Sequence, residues 1–396
     1  VISAYRPYFD WSEILAVLRP GAGRSEFEAA VASRVGARYG IAFAYGRSGI
    51  VALFEALGLS QAEVIMPAYT CAVMAEAVVV SGNKPVFVDI DLADYNMDIS
   101  ATKRALTSHT RAIIVTHMYG YPADVDTIRK EVGDDQLLII EDAALALRTA
   151  APDATGISGD VALFSFGSGK QLYTITGGVI VTNSSSLHDK IRTYRDQEMN
   201  RLPNSVWARR CMQVLTAYMA LSGSLEERLV QIKNIGAVKR ARDAVGLTGT
   251  VMPRDYATAY ADFQGRIGVA QLRKLDTVLE ETRALAEFYG RELRDAPGLT
   301  TAPVIPGATY TYYSVRVEGR DEIGFHQRMR DRGIEVGLNF SYTLPQLKAY
   351  QSYANGHYPR AEQAAREVVN LPNYAGLDMA EARRIVECTR RTIQEC

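Results

Sequence analysis

The stretch ALFSFGSGKQLYTITGGVIVT occupies positions 162–182. An apolar run at 161–166 stops at a turn built from Gly and Ser. A second run, 179–182, starts after Gly177 and Gly178. Short apolar runs bounded by glycines read as buried strands. The turn therefore delivers a single amine, Lys170, to the mouth of a sheet. Most lysines at turns are simply solvated. One flanked by apolar strands and small residues can lose its proton and attack a carbonyl.

Working outward, five more apolar runs precede these two, at 41–45, 64–66, 86–90, 112–116 and 137–141. Helical segments lie between the early ones, for example 49–59 and 69–81. This alternation predicts an α/β fold with a mainly parallel sheet covered by helices on both faces. Ligands in such sheets sit beyond the carboxyl ends of the strands. Residues 200–250 break the rhythm and read as a helical insertion. The apolar stripe of Ile267, Ala270, Leu272, Leu275, Val278 and Leu279 predicts one long helix over 263–294. Beyond Pro303, a strand at 312–317, a helix at 322–332, a strand near 334–339 and terminal helices suggest a small α+β domain. The expected division is a large domain, 1–262, followed by a linking helix and small C-terminal domain, 263–396.

Composition narrows the function. The chain has 396 residues, 47% apolar and 22% charged, with a net charge of -1. That balance gives no broad basic face for nucleic acid or acidic lipid. The four cysteines, Cys71, Cys211, Cys388 and Cys396, lie far apart and form no zinc-binding pair. Reduced thiols in the cytoplasm fit this pattern. No signal-peptide pattern is visible, and no apolar run reaches the roughly 18 residues of a spanning helix.

Three strand ends carry chemistry. In FAYGRSGIVALFEAL, 43–57, a strand runs into Gly46-Arg47-Ser48-Gly49 and then a helix. Backbone N–H groups at a helix start, with a hydroxyl and a guanidinium nearby, suit an anion, although such a turn is also ordinary strand–helix punctuation. In LLIIEDAALAL, 137–147, a buried strand ends in Asp142. A bare buried carboxylate is costly. Asp142 either caps the next helix or holds a protonated heteroaromatic nitrogen, with small Ala144 leaving room for a flat ring. Lys170 is the third. An anion cradle, a carboxylate and an amine at three strand ends match the phosphate, pyridine nitrogen and aldehyde of pyridoxal 5'-phosphate.

With these motifs in order, the sequence resembles the DegT/DnrJ/EryC1/StrS family of pyridoxal-phosphate-dependent sugar aminotransferases. The resemblance runs through YRPYFDWSEI, VIMPAYTCAVMAEAVVVSGNKPVFVDID, RAIIVTHMYGYPADVDTIRK, IIEDAALAL, the opening stretch, ADFQGRIGVAQLRKLD and RGIEVGLNF. It implies a fold-type-I, aspartate-aminotransferase-like transferase, working as a homodimer with active sites at the subunit interface. It implies that Lys170 carries the cofactor and moves the proton, and that Asp142 pairs with the pyridine nitrogen. Arg47 and Ser48 fall in the phosphate-cradling turn, and Ser165 matches a phosphate ligand. Some relatives carry His at the lysine position and dehydrate sugars; Lys170 favours transamination.

The departures are specific. Leu145 stands where the family has Gln or His near the cofactor's phenolic oxygen, and it cannot hydrogen-bond. Cys71 stands at the position of a ring-stacking aromatic, with Tyr69 close by in sequence. YATAY, 256–260, replaces a family stretch that supplies Asn to the partner's phosphate. GLNF, 337–340, with Asn339, replaces a GxHY stretch. These point away from a standard nucleotide-sugar substrate. His117 reads as structural. The segment SVWARRCMQVLTAYMALSG, 205–223, reads as a dimer contact or helical cover rather than a membrane contact. The expected activity moves an amino group from glutamate or glutamine to a keto-sugar, keto-cyclitol or related ketone. Two alternatives remain: elimination or replacement on an amino-acid-derived substrate, and a non-catalytic regulatory protein.

Overall fold

All seven apolar runs become strands of one sheet. They are β1 (Tyr39–Phe43), β2 (Glu63–Pro67), β3 (Lys84–Val88), β4 (Thr110–Thr116), β5 (Leu138–Asp142), β6 (Val161–Ser165) and β7 (Gly178–Thr182). The computed structural model describes residues 1–147, 157–221, 252–319 and 322–395. The strand order is β1-β7-β6-β5-β4-β2-β3. Strands β3, β2, β4, β5 and β6 run parallel, and β7 is antiparallel to both its neighbours. The central strands are buried along nearly their whole length, which explains continuous apolar runs in place of alternation.

This register sets the site. Thr116 on β4 pairs with Asp142 on β5, and Asp142 pairs with Leu163 on β6. Three strand ends therefore meet where the next turns begin. The helix after β1, Gly46–Ala56, is buried over most of its length and packs on β6 and β7.

The C-terminal part adds a second sheet of β8 (Leu299–Thr300), β9 (Tyr313–Val317) and β10 (Val368–Leu371), in the order β10-β9-β8. Helices Glu322–Asp331, Pro359–Glu367 and Met379–Glu395 accompany it. Two expectations change here. The helix expected over 263–294 is two, Asp262–Leu272 and Leu275–Leu293. The turn at Arg273 and Lys274 is fixed from outside, since Lys274 Nζ reaches the buried Glu13 carboxylate at 2.5 Å. The strand expected near 334–339 is only two isolated bridges, because Ile334 pairs with Ile2 while Gly337 pairs with Asn370.

Aromatic residues fill the seam between the two sheets. Tyr69, Tyr95, Tyr119 and Tyr121 from the large sheet side meet Tyr310, Tyr312 and Phe340 with ring centroids 5.4–6.5 Å apart. Tilted and edge-on contacts of this kind add to the burial of large rings. Tyr69 and Tyr119 also share a hydroxyl hydrogen bond of 2.6 Å.

Of the 200–250 insertion, helix Asn204–Leu221 is described, and residues 222–251 lie outside the described residues. Arg210 on that helix is fully buried and donates to the Ala259 carbonyl, Gln264 and Thr258. No described helix is long and apolar enough to cross a membrane.

Candidate active site

Lys170 lies in the loop joining β6 to β7 and is half-buried. Gly169 before it has φ +77°, the left-handed region where a side chain is strained. A Cβ on Gly169 would also fall 2.4 Å from the Tyr312 hydroxyl. That hydroxyl donates to the Gly169 carbonyl, and the Tyr5 hydroxyl donates to the Lys170 carbonyl, both at 2.8 Å. Lys170, Tyr5, Thr311, Asn373 and Tyr374 line a cleft with about 20 Å³ of free space, room for about one water.

Asp142 ends β5 and is 4% exposed. Its Oδ1 accepts the Ala144 N–H at 3.2 Å. Burial pushes its carboxyl up, while the Lys170 charge, the Ala144 N–H and His117 draw it back; the net shift is upward. Oδ2 accepts no hydrogen bond among the described residues. A buried carboxylate with an open oxygen calls for a cationic or N–H partner. A protonated pyridine nitrogen supplies one.

His117 and Glu141 brace this end of the sheet. The Ala123 N–H donates to His117 Nδ1 at 3.0 Å, so Nε2 carries the proton and donates to Glu141 Oε2 at 2.8 Å. Glu141 Oε1 accepts the N–H groups of Ser158 and Gly159 at 2.7 and 2.6 Å. Burial pushes the Glu141 carboxyl up, but His117 and these N–H groups outweigh it, and the net shift is downward. The His117 N–H also donates to the Asp142 carbonyl at 3.0 Å through the main chain. His117 is thus fully engaged in holding the β4 and β5 ends.

The turn expected to cradle an anion lies where helix Gly46–Ala56 starts against β6 and β7. A Cβ on Gly178 would lie 2.4 Å from the Gly46 Cα, and one on Gly46 would lie 3.6 Å from the Ser165 Cβ. The first helical turn carries no acidic residue, and the Ser165 hydroxyl has no hydrogen-bond partner among the described residues. Free N–H groups and a hydroxyl fit a phosphate. Two side chains do not enter this cradle as the sequence suggests. Arg47 pairs with the buried Glu76 at 2.5 Å, and the Ser48 hydroxyl donates to the Tyr256 carbonyl at 2.7 Å. The turn offers its backbone instead of its guanidinium.

The remaining positions are placed as follows. Ala144 is half-buried beside Asp142. The Leu145 side chain is buried, and its carbonyl accepts the hydroxyls of Thr309 and Thr311 at 2.9 and 2.6 Å. Cys71 precedes helix Ala72–Val80 as a free, partly exposed thiol. It neighbours Tyr312 and Tyr342, whose phenols burial drives well upward. Tyr69 is buried in the aromatic seam. Asn339 donates to Asn370 at 2.9 Å. Sequence reading marked Tyr312 as a residue that lines a pocket or merely packs, but missed Tyr5 and the hydrogen bonds of both phenols to the lysine loop; no local pattern marks contacts 165 and 143 positions apart. Among the described residues, no group of three or more His, Cys, Asp or Glu could hold a metal.

Comparison with known proteins places the whole chain. The chain is 28% identical over 358 residues to the dTDP-4-dehydro-2,3,6-trideoxy-D-glucose 4-aminotransferase of Saccharopolyspora spinosa, covering 88% of this chain and 83% of that one. It is 29% identical over 371 residues to the GDP-perosamine synthase of Caulobacter vibrioides, covering 91% and 87%. Its fold matches that of Helicobacter pylori PseC, an aminotransferase involved in pseudoaminic acid biosynthesis, with TM-score 0.80 and 20% identity over 100% of both chains. The architecture is the fold-type-I, aspartate-aminotransferase-like one. Residues 12–390 match one family across nearly the whole chain, and the protein belongs to the DegT/DnrJ/EryC1/StrS aminotransferase family.

Proposed function

We infer that this chain is a pyridoxal-phosphate-dependent aminotransferase that moves an amino group from glutamate or glutamine to a keto-sugar, keto-cyclitol or related ketone in a biosynthetic pathway. The observation that carries the reading is the meeting of Lys170, the open oxygen of buried Asp142 and the free helix start at Gly46 at neighbouring strand ends. Asp142 would hold the pyridine nitrogen, Lys170 the aldehyde carbon, and the Gly46-Arg47-Ser48 peptides with Ser165 the phosphate. Pyridoxal phosphate supplies an electron sink for a substrate carbon that is losing its proton.

The chain's own groups do the rest. Asp142, held by the Ala144 N–H and by the β4–β5 register, keeps a proton on its partner nitrogen. The Lys170 amine would carry a proton between the substrate carbon and the cofactor's C4′ carbon. Tyr312, Phe340 and Tyr342 are partly exposed, and their ring faces suit the C–H surface of a sugar or cyclitol. The working form is a homodimer with interfacial sites. Trp11, Leu15 and Leu18 on one helix face, and Trp207, Met212 and Leu215 on another, are 49–76% exposed and are the apolar surface a second copy would cover. The free thiols of Cys71, Cys211 and Cys388 suit a reducing cytoplasm.

The test is a visible spectrum of the purified protein with added pyridoxal phosphate, followed by glutamate or glutamine. The reading expects an absorption band that bleaches with a donor and releases the matching keto acid, and that Lys170→Ala abolishes. A wild-type protein that binds the cofactor but releases no keto acid from any amino donor overturns transamination. Failure to bind the cofactor at all overturns the site.

A further inference from the structure

The loop that carries Lys170 is tied to residues far from it in sequence. Its own carbonyl and that of Gly169 accept the hydroxyls of Tyr5 and Tyr312. These are the long-range hydrogen bonds to the main chain of 167–171 among the described residues. Neither phenol belongs to the seven-stranded sheet that carries the lysine. Tyr312 sits immediately before β9 of the C-terminal sheet. Tyr5 sits in the N-terminal tail, and that tail is fastened to the C-terminal part. The Ile2 N–H donates to the Gly333 carbonyl at 2.8 Å, and the Glu335 N–H donates to the Ile2 carbonyl at 2.9 Å. Tyr312 is therefore anchored to the C-terminal sheet, and Tyr5 is held toward it at Ile2, while farther along the tail the Tyr8 carbonyl accepts from Gln271 of helix Asp262–Leu272 at 2.8 Å.

The two groups also touch each other's electrostatics, since the Tyr312 charge would raise Tyr5 further. Burial drives both phenols well upward, so both stay protonated donors at neutral pH. The C-terminal end of the loop is held differently. Gln264 donates to the carbonyls of Thr174 and Thr176 at 2.9 and 3.0 Å, from a helix packed on the large sheet's side. The loop thus has one end tied to each unit, with Lys170 at the end tied to the C-terminal one.

We propose that Tyr5 and Tyr312 are positioning residues that set the place of Lys170 from the C-terminal unit, so that any shift of that unit on substrate binding moves the lysine's main chain. The inference rests on the reading of Lys170 as the reactive amine for its consequence, but the clamp itself is independent of it.

The experiment is hydrogen exchange on full-length wild type, Tyr5→Phe, Tyr312→Phe and the double variant, with and without pyridoxal phosphate. The phenylalanines keep the rings and remove only the donors. The expected result is exchange at 166–171 faster by about 3- to 10-fold per lost hydroxyl, the scale of one neutral hydrogen bond. Exchange in 46–56 and in β4 should stay unchanged. With cofactor bound, the pH at which the visible band changes should move in both single variants. A general loss of stability would speed exchange everywhere and leave that pH in place. The proposal is overturned if the double variant exchanges at 166–171 as wild type does, or only in step with the whole chain. Should wild type fail to bind cofactor, the exchange comparison in the free protein still decides the clamp, and only the site reading is lost.

Discussion

His117 Nε2 lies 2.8 Å from Glu141 Oε2, and both side chains are almost fully buried behind Asp142. The pair is satisfied from three sides by backbone N–H groups, at Ala123, Ser158 and Gly159. His117→Ala would strand the Ala123 N–H and remove one of Glu141's partners. The expected cost is about 2–4 kcal/mol, from the loss of partners by buried polar groups. Chemical denaturation checks it, and a cost below about 0.5 kcal/mol would show that water replaces the ring.

Glu141 also makes a pH prediction. Its carboxyl is held below its ordinary value by His117 and the two N–H groups against the opposing effect of burial. A depressed carboxyl stabilises the fold above its unfolded value, near 4.3, and that stability disappears as pH falls through the lower folded value. Glu141→Gln should therefore flatten the acid limb of the stability curve below about pH 5. An unchanged acid limb would assign acid unfolding to other carboxylates.

Asp142 has the opposite sign. Burial is the largest influence on it and raises its carboxyl in the cofactor-free protein. The folded state then binds its proton more tightly than the unfolded chain, so stability falls as pH rises from the unfolded value through the folded one. Asp142→Asn should raise the melting temperature of the cofactor-free protein at pH 7 while weakening capture of pyridoxal phosphate at least tenfold. Stability kept in reserve for function in this way is the usual trade at an active site. An Asn variant that melts lower and binds equally well would contradict both halves.

These carboxylates also show where sequence was a sufficient guide. The strands were legible because the central ones are buried on both faces and so read as unbroken apolar runs. Asp142 was legible as the residue at which one run stops and Lys170 as the single amine in the turn between two runs, whereas Ser165 was marked only by the family resemblance. The lost information is all long-range. Nothing near Arg47 announces Glu76 on the neighbouring helix, 29 positions on. Nothing near Lys274 announces Glu13, which breaks the expected helix. β10 is four residues pressed between a helix and Pro372, too short for its pattern to stand out. Where tertiary partners decide, local propensity does not.

The Arg47–Glu76 pair yields a separation of stability from binding. Glu76 is 5% exposed, so Arg47→Met leaves a buried carboxylate short of its counter-charge. The expected cost is about 2–4 kcal/mol. Because the cradle offers backbone N–H groups, the affinity for pyridoxal phosphate should change by less than about threefold, a difference below 0.7 kcal/mol. The double variant Arg47→Met with Glu76→Met should recover much of the loss, as replaced buried pairs often do. A large drop in cofactor affinity in the single variant would place the guanidinium back on the phosphate.

Gly178 tests the cradle from its other wall. A Cβ there would sit 2.4 Å from Gly46 Cα, 2.6 Å from Gly46 N and 3.1 Å from the Phe164 carbonyl. All three are main-chain atoms, so no flexible side chain can swing away. β7 is pinned between β1 and β6 by two antiparallel ladders, and the helix start is the softer partner. Gly178→Ala should therefore push the Gly46 N–H out of line instead of bending the strand. The overpacking costs about 1–3 kcal/mol, and the binding loss should exceed it, because the displaced group is one that would face the phosphate. Titrating pyridoxal phosphate by its visible band, beside denaturation of the free protein, measures both. A variant destabilised in that range that still binds as wild type would mean the helix start moves as a unit without losing its aim.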